Sequence, residues 1–271
     1  DSSDILSPYH FSSPPELQFE GDIAEDLGRA NNFRAKITSG ELLTFPFCGK
    51  NLPVSNSELD LVMLGNVLQV PKFSGTLMNG EIQGDFTVNF DDTSTSIDGN
   101  VRVRKVDFAP LVEVFRDGDA HSSSGDEGKL TGEINFRYIA GDVSSLQGQG
   151  SAVVLDGNLF DLPLFGTLSP LIEGALPNVI VDNTVAKKAS GNFVITDGLL
   201  VTNDFEALSS AFTIELEGTV DCKSTNIDLN AQLKGRGVAQ VASLLLGYTF
   251  EFEGAGPISN PEWKAHQLNG E

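Results

Sequence analysis

From Leu17 onward, apolar and polar residues alternate with a period of two along many short stretches, which sends successive side chains to opposite faces of a β-strand. In DFTVNF the apolar set is Phe86, Val88 and Phe90, with Thr87 and Asn89 between them. GEINFRY sets Ile134, Phe136 and Tyr138 against Asn135 and Arg137. AFTIELEG gives Phe212, Ile214 and Leu216 against Glu215 and Glu217, and STNIDLNAQL gives Ile227, Leu229, Ala231 and Leu233 against Asp228 and Asn230. YTFEFEG repeats the scheme with Tyr248, Phe250 and Phe252. Common parity predicts that Phe86, Val88, Phe136, Phe212, Ile214, Leu229, Phe250 and Phe252 share one continuous, concave apolar face. Parity serves a filled core as well as an open groove.

Glycine-containing pairs punctuate the runs. SGEL at Ser39, NGEI at Asn79 and TGEI at Thr131 form one set, and Asp-Gly at Asp98, Asp156 and Asp197 a second. Both read as hairpin turns, since glycine accepts the positive φ that such turns require. Their irregular spacing suits a sheet that grows hairpin by hairpin rather than a propeller or solenoid. Three segments switch to helical spacing: Phe108, Leu111, Val112 and Phe115; Leu164, Leu168, Leu171 and Ile172; and Val238, Val241, Ala242 and Leu245. Each is a short helix, either a lid over an apolar groove or a crossover that plugs a core. The predicted fold is all-β, a long, highly twisted antiparallel sheet curled into a half-pipe with a few short capping or crossover helices. Residues 1–16 read as a tail, 17–264 as one domain with a subdivision at the polar 116–128 loop, and 265–271 as a second tail.

Charge narrows the partners. Lys and Arg total 17 against 38 Asp and Glu, a formal net charge of −21, which repels nucleic-acid phosphates and anionic headgroups. If lipid binds, its acyl chains supply the attraction. The sequence has no apolar run long enough for a membrane-spanning helix and no signal-peptide order at its start. The start at Asp1 points to a trimmed chain, and any membrane anchor would lie on the missing portion. Cys48 and Cys222 fit no metal spacing and are either one disulfide or two thiols. His10, His121 and His266 share no ligand spacing, and the acidic run at Asp117 and Asp119 departs from the calcium-loop pattern. GDEGKL, from Gly125 to Leu130, lacks phosphate-loop spacing, and Ser169, followed by Pro170, sits in no nucleophile elbow. No catalytic, metal or cofactor site is predicted, and the chain reads as a non-enzyme.

The linear order of motifs adds a family. VRVRKVDFAPLVEVF (Val101 to Phe115) is followed by KLTGEINFRYIAGD, then LQGQGSAVVLDGNLFDLPLFGTLSPLI, then GNFVITDGLLVTNDFEALSSAFTIELEGTVD, and finally LLLGYTFEFEGAGPISNPEW. This order resembles the C-terminal region of the AsmA and TamB group of Gram-negative envelope proteins, over roughly residues 17 to 264. Asp197, Gly198, Thr202, Asp204, Leu208, Ser210, Gly218 and Asp221 carry it best. The resemblance implies a periplasmic β-groove anchored in the inner membrane, which binds or guides phospholipid or other acyl-chain lipid in lipid transport and outer-membrane homeostasis. The alternative it leaves open is a scaffold or chaperone-like module that binds extended β segments during outer-membrane protein assembly.

Overall fold

The computed structural model describes residues 14–22, 31–40, 43–47, 50–91, 93–115, 128–158, 165, 168, 170–171, 186–210, 212–236 and 248–269. They form an all-β, antiparallel sheet structure of fifteen strands and one short helix. The strands are β1 (Glu16–Asp22), β2 (Asn31–Ser39), β3 (Leu43–Phe47), β4 (Lys50–Gly65), β5 (Val67–Leu77), β6 (Gly80–Phe90) and β7 (Thr95–Asp107). Helix α1 (Phe108–Phe115) follows, then β8 (Lys129–Ile139), β9 (Asp142–Gly157), β10 (Ala186–Thr196), β11 (Leu199–Leu208), β12 (Phe212–Asp221), β13 (Asn226–Gly235), β14 (Tyr248–Pro257) and β15 (Glu262–Asn269). Strand β15 runs on through Asn269, into the segment expected as a tail.

The chain divides into two compact units. Unit 1 comprises Asp1–Val106 and Thr131–Gly148, and unit 2 comprises Asp107–Leu130 and Gln149–Glu271. In unit 1 hydrogen-bonded neighbours follow the order β1-β2-β4-β5-β6-β7-β8-β9, with β3 also on β4. In unit 2 the order is β9-β10-β11-β12-β13-β14-β15. Most strands therefore pair with their sequence neighbours, as hairpin-by-hairpin growth requires.

Two of the predicted turns are tight hairpins. Met78 (φ 44°) and Asn79 (φ 60°) join β5 to β6, and Asp197 (φ 52°) and Gly198 (φ 76°) join β10 to β11, the paired left-handed residues of a type I′ turn. The pairs Asp98-Gly99 and Thr131-Gly132 instead lie inside β7 and β8. Gly99 is needed there for space. A Cβ on it would come within 2.6 Å of Phe86 Cδ1 and 2.9 Å of Phe136 Cζ.

Helix α1 confirms the first helical stripe. Asp107, almost fully buried just before it, forms an ion pair with Lys129, and the Phe108 N–H donates to the Gly128 carbonyl at 3.0 Å. Within the second stripe, Leu168 N–H donates to Phe165 O at 2.9 Å and Leu171 N–H to Leu168 O at 3.1 Å, the tight i to i+3 pattern of 3₁₀ turns. Leu164, Val238, Val241 and Leu245 lie outside the described residues, as does the side chain of Phe115.

Candidate functional site: an apolar sheet face

Strand register gathers the apolar parity of unit 1 onto one face. Val88 stands opposite Leu68 on β5 and Ile97 on β7, and Phe86 opposite Val70 and Gly99. The rings of Phe73, Phe86 and Phe136 form a row that crosses the strands, with centroids 6.1 Å and 6.3 Å apart and planes tilted by 46° and 56°. Gly99 lies beneath the last two, where any side chain would lift the rings. Phe86, Val88 and Phe136 remain partly exposed. From β5 to β8, as far as Val103 on β7, residues of this parity are hydrocarbon or glycine except Thr95 and Tyr138. The Tyr138 hydroxyl is engaged, accepting the Gly141 N–H at 2.8 Å. Towards β1 the same face carries Leu17 opposite Ile37 and Phe19 opposite Ala35, 59% and 44% exposed.

The opposite face of unit 1 is laced with charge pairs. Glu58 accepts from Lys36 and from Lys72, each at 2.9 Å, which ties β2, β4 and β5 together. Hydrogen bonds from the two ammonium groups, Lys36 first, hold the Glu58 carboxyl down at about 2. Arg137 pairs with Asp98 at 2.6 Å and Arg102 with Glu133 at 3.4 Å, while Asn100 donates to Asn135 at 2.7 Å between them. Cross-strand opposites of this kind stabilise a solvated sheet face by a few tenths of a kcal/mol each, at most about 1.

Unit 1 buries part of this face, with Phe73, Leu77 and Ile82 at 3%, 3% and 2% exposed, and unit 2 buries more of its own apolar parity. Phe212, Ile214, Leu229 and Phe252 are 2%, 4%, 2% and 1% exposed, and Phe250 packs against them half-buried. Phe108 from α1, together with Phe165 and Leu168, joins the same cluster, with Leu171 against its margin. Leu111 on α1 is half-buried. Here the face is a filled core, and the helical residues are its plug. The eight residues of common parity thus fall into two sets, Phe86, Val88 and Phe136 in unit 1 and the other five in unit 2.

Several family-like motif residues fasten this core. Asp197 and Gly198 make the β10–β11 turn, and Asp204 accepts from the Asn192 N–H at 2.8 Å and from its Nδ2 at 2.5 Å, across an irregular stretch of the β10–β11 pairing. Those Asn192 bonds lower the Asp204 carboxyl below its ordinary range. Thr202 Oγ1 donates to the Asn192 carbonyl at 2.8 Å. Asp221 caps the β12–β13 turn, accepting from the Ser224 hydroxyl at 2.7 Å and from the Lys223 N–H at 2.8 Å, bonds that also lower its pKa. Cys222, beside it, is a free half-buried thiol whose pKa is raised by burial and then by Asp221. Cys48, His10 and His121 lie outside the described residues, as does the side chain of His266. The described residues contain no cluster of three or more His, Cys, Asp or Glu side chains placed to hold a metal, and no helix long and apolar enough to cross a membrane.

The fold and its two faces define a class: an all-β protein with an open antiparallel sheet, in which unit 1 bears hydrocarbon on one side and paired charges on the other. Comparison with protein-family models, curated proteins and solved structures gave no match.

Proposed function

We propose that this chain is the periplasmic β-groove module of an inner-membrane-anchored envelope protein, and that it binds or guides lipid acyl chains in phospholipid transport and outer-membrane homeostasis. The observation that carries the reading is the apolar face of unit 1, hydrocarbon or glycine between β5 and β8 apart from Thr95 and Tyr138, on which Phe86, Val88 and Phe136 stay partly exposed. Large contiguous apolar surfaces on soluble domains mark binding sites. The resemblance of the motif order to that of the AsmA and TamB group supports the envelope setting. Burial contributes about 0.8 kcal/mol per methylene, so six methylenes supply roughly 5 kcal/mol. That exceeds headgroup repulsion screened within about 8 Å at physiological salt. Fluorescent fatty acids should bind more tightly with each added methylene and respond little to salt between about 0.05 and 0.5 M. Affinity that follows headgroup charge and collapses with salt overturns the reading.

One observation favours the scaffold alternative. Strand β1 is exposed along its whole length, contains neither Lys nor Pro, and has β2 as its one neighbour among the described residues. Such an edge accepts an added strand. Crosslinking that captures an extended segment of an envelope protein on β1, with no acyl-chain binding, selects that function.

A further inference from the structure

Strand β1 offers two chemistries at once along its outer edge. On the apolar side, Leu17 and Phe19 stand opposite Ile37 and Ala35 of β2 and keep 59% and 44% of their surface exposed. The Phe19 ring is held from the β2 side by Phe33, with centroids 5.2 Å apart, so an apolar anchor is already in place at the edge. On the charged side, Glu16, Gln18, Glu20 and Asp22 follow one another at every second position. Three of these four are carboxylates. Among the described residues no Lys or Arg forms a salt bridge with Glu16, Glu20 or Asp22, and Glu16 accepts only from the Gln18 amide, at 3.4 Å.

We infer that β1 takes up an extended peptide in which Lys or Arg alternates with large apolar residues. The inference rests on the strand-addition reading of β1 above and names the chemistry of the added strand. Alternation is imposed by the sheet, because an added strand sends its side chains to the same two sides as β1. Residues beside Leu17 and Phe19 are therefore apolar, and those beside Glu16, Glu20 and Asp22 are opposite in charge. Other occupants fit less well. A second copy of β1 would set carboxylate against carboxylate, and nucleic acid would meet a chain of net charge −21. An acyl chain offers nothing to the outer N–H and C=O groups of the edge, whereas a peptide backbone pairs with them. Length agrees: the 7 residues of β1, at about 3.4 Å each, give a contact of roughly 24 Å, enough for three charge pairs and two apolar ones.

The test uses synthetic peptides as long as β1, acetylated and amidated at their ends. One alternates Lys with Val, a second alternates Glu with Val, and a third gathers the Lys and Val of the first into two blocks. Calorimetric titration of the full chain gives affinity, and amide hydrogen exchange, read over Glu16–Asp22 and over the strands of unit 2, gives the place of binding. The alternating Lys–Val peptide should protect Glu16–Asp22, bind about 10-fold more tightly than either control, and weaken as salt rises from about 0.1 to 1 M. Glu20→Gln, at an exposed position, should cost that peptide about 2–5-fold in affinity and leave the Glu–Val peptide no weaker. Equal protection of β1 by the Glu–Val peptide overturns the charge selection but leaves strand addition standing. Equal protection by the block peptide overturns the alternation. Protection confined to unit 2, whose charged side carries Glu206, Glu215 and Glu217, overturns the location. No protection of β1 by any of the three peptides overturns strand addition itself.

Discussion

Gly254 lies directly opposite Trp263 in the β14–β15 pair, and the indole covers the space where a side chain would stand. A Cβ at Gly254 would meet Trp263 Cε2 at 2.7 Å and both Cδ2 and Cε3 at 2.8 Å, inside contact distance of a rigid ring. Gly254→Ala must therefore push the ring outward or separate the strands. Overpacking of this kind costs about 1–3 kcal/mol. The backbone of Gly254 is not left-handed, so alanine recovers about 0.5–1 kcal/mol by restricting the unfolded chain, and the net loss centres on about 1 kcal/mol, within about 0–2.5 kcal/mol. Urea unfolding followed by circular dichroism reads the loss. Trp263 emission, which has no competing indole in the wild-type chain, should shift to the red as the ring meets water. The decisive comparison is the same substitution in a Trp263→Ala background, where no ring opposes the new methyl and Gly254→Ala should stabilise by about 0.5–1 kcal/mol. An equal cost in both backgrounds, or an unshifted emission in the first, would refute the steric account.

The difference between the faces gives a second expectation: Phe252→Ala should cost about 3–5 kcal/mol in thermal or urea unfolding, and Phe19→Ala, at an exposed edge position, within about 0.5 kcal/mol. Lys129→Met leaves the buried Asp107 carboxylate without its ammonium partner, and because Lys129 is half-exposed the loss should be moderate, about 1–3 kcal/mol by urea titration. For Glu58 the folded carboxyl sits at about 2, below the ordinary value near 4.3, so its contribution is present above the ordinary range and is lost as pH falls towards about 2. Glu58→Gln should flatten that acid limb of the stability profile, and NMR titration of the Glu58 carboxyl should give the low value directly.

Alternation made the strands legible. Phe86, Val88 and Phe90 on β6, and Ile227, Leu229, Ala231 and Leu233 on β13, take the parity their spacing predicts, and the stripe from Phe108 is a helix. Parity reports which face a residue takes and is silent on what covers that face. Phe86 and Phe252 therefore look alike in sequence, yet one is half-open and the other buried among residues far away in the chain, including Phe108 and Phe165. Glycine carried a similar ambiguity. Asp197-Gly198 supplies positive φ at a turn, whereas Asp98-Gly99 supplies room for two rings inside a strand, and the dipeptide is the same. The Lys36–Glu58–Lys72 and Asp107–Lys129 contacts depend on register and tertiary placement, which local spacing does not encode.

The bare edge of β1 bears on how crowded copies of the chain behave. Its outer edge has no described strand beside it, and on β1 itself Glu16, Glu20 and Asp22 would set like charges against a second copy. The field of the whole molecule, −21 on each copy, adds to that local repulsion before any backbone group can reach another. That shield is electrostatic and has a range, about 10 Å at 0.1 M salt and about 3 Å at 1 M. The protection of the edge is thus withdrawn by the surrounding ions: in dilute salt the edge is guarded at a distance, and in concentrated salt the guard contracts to the width of a hydrogen bond.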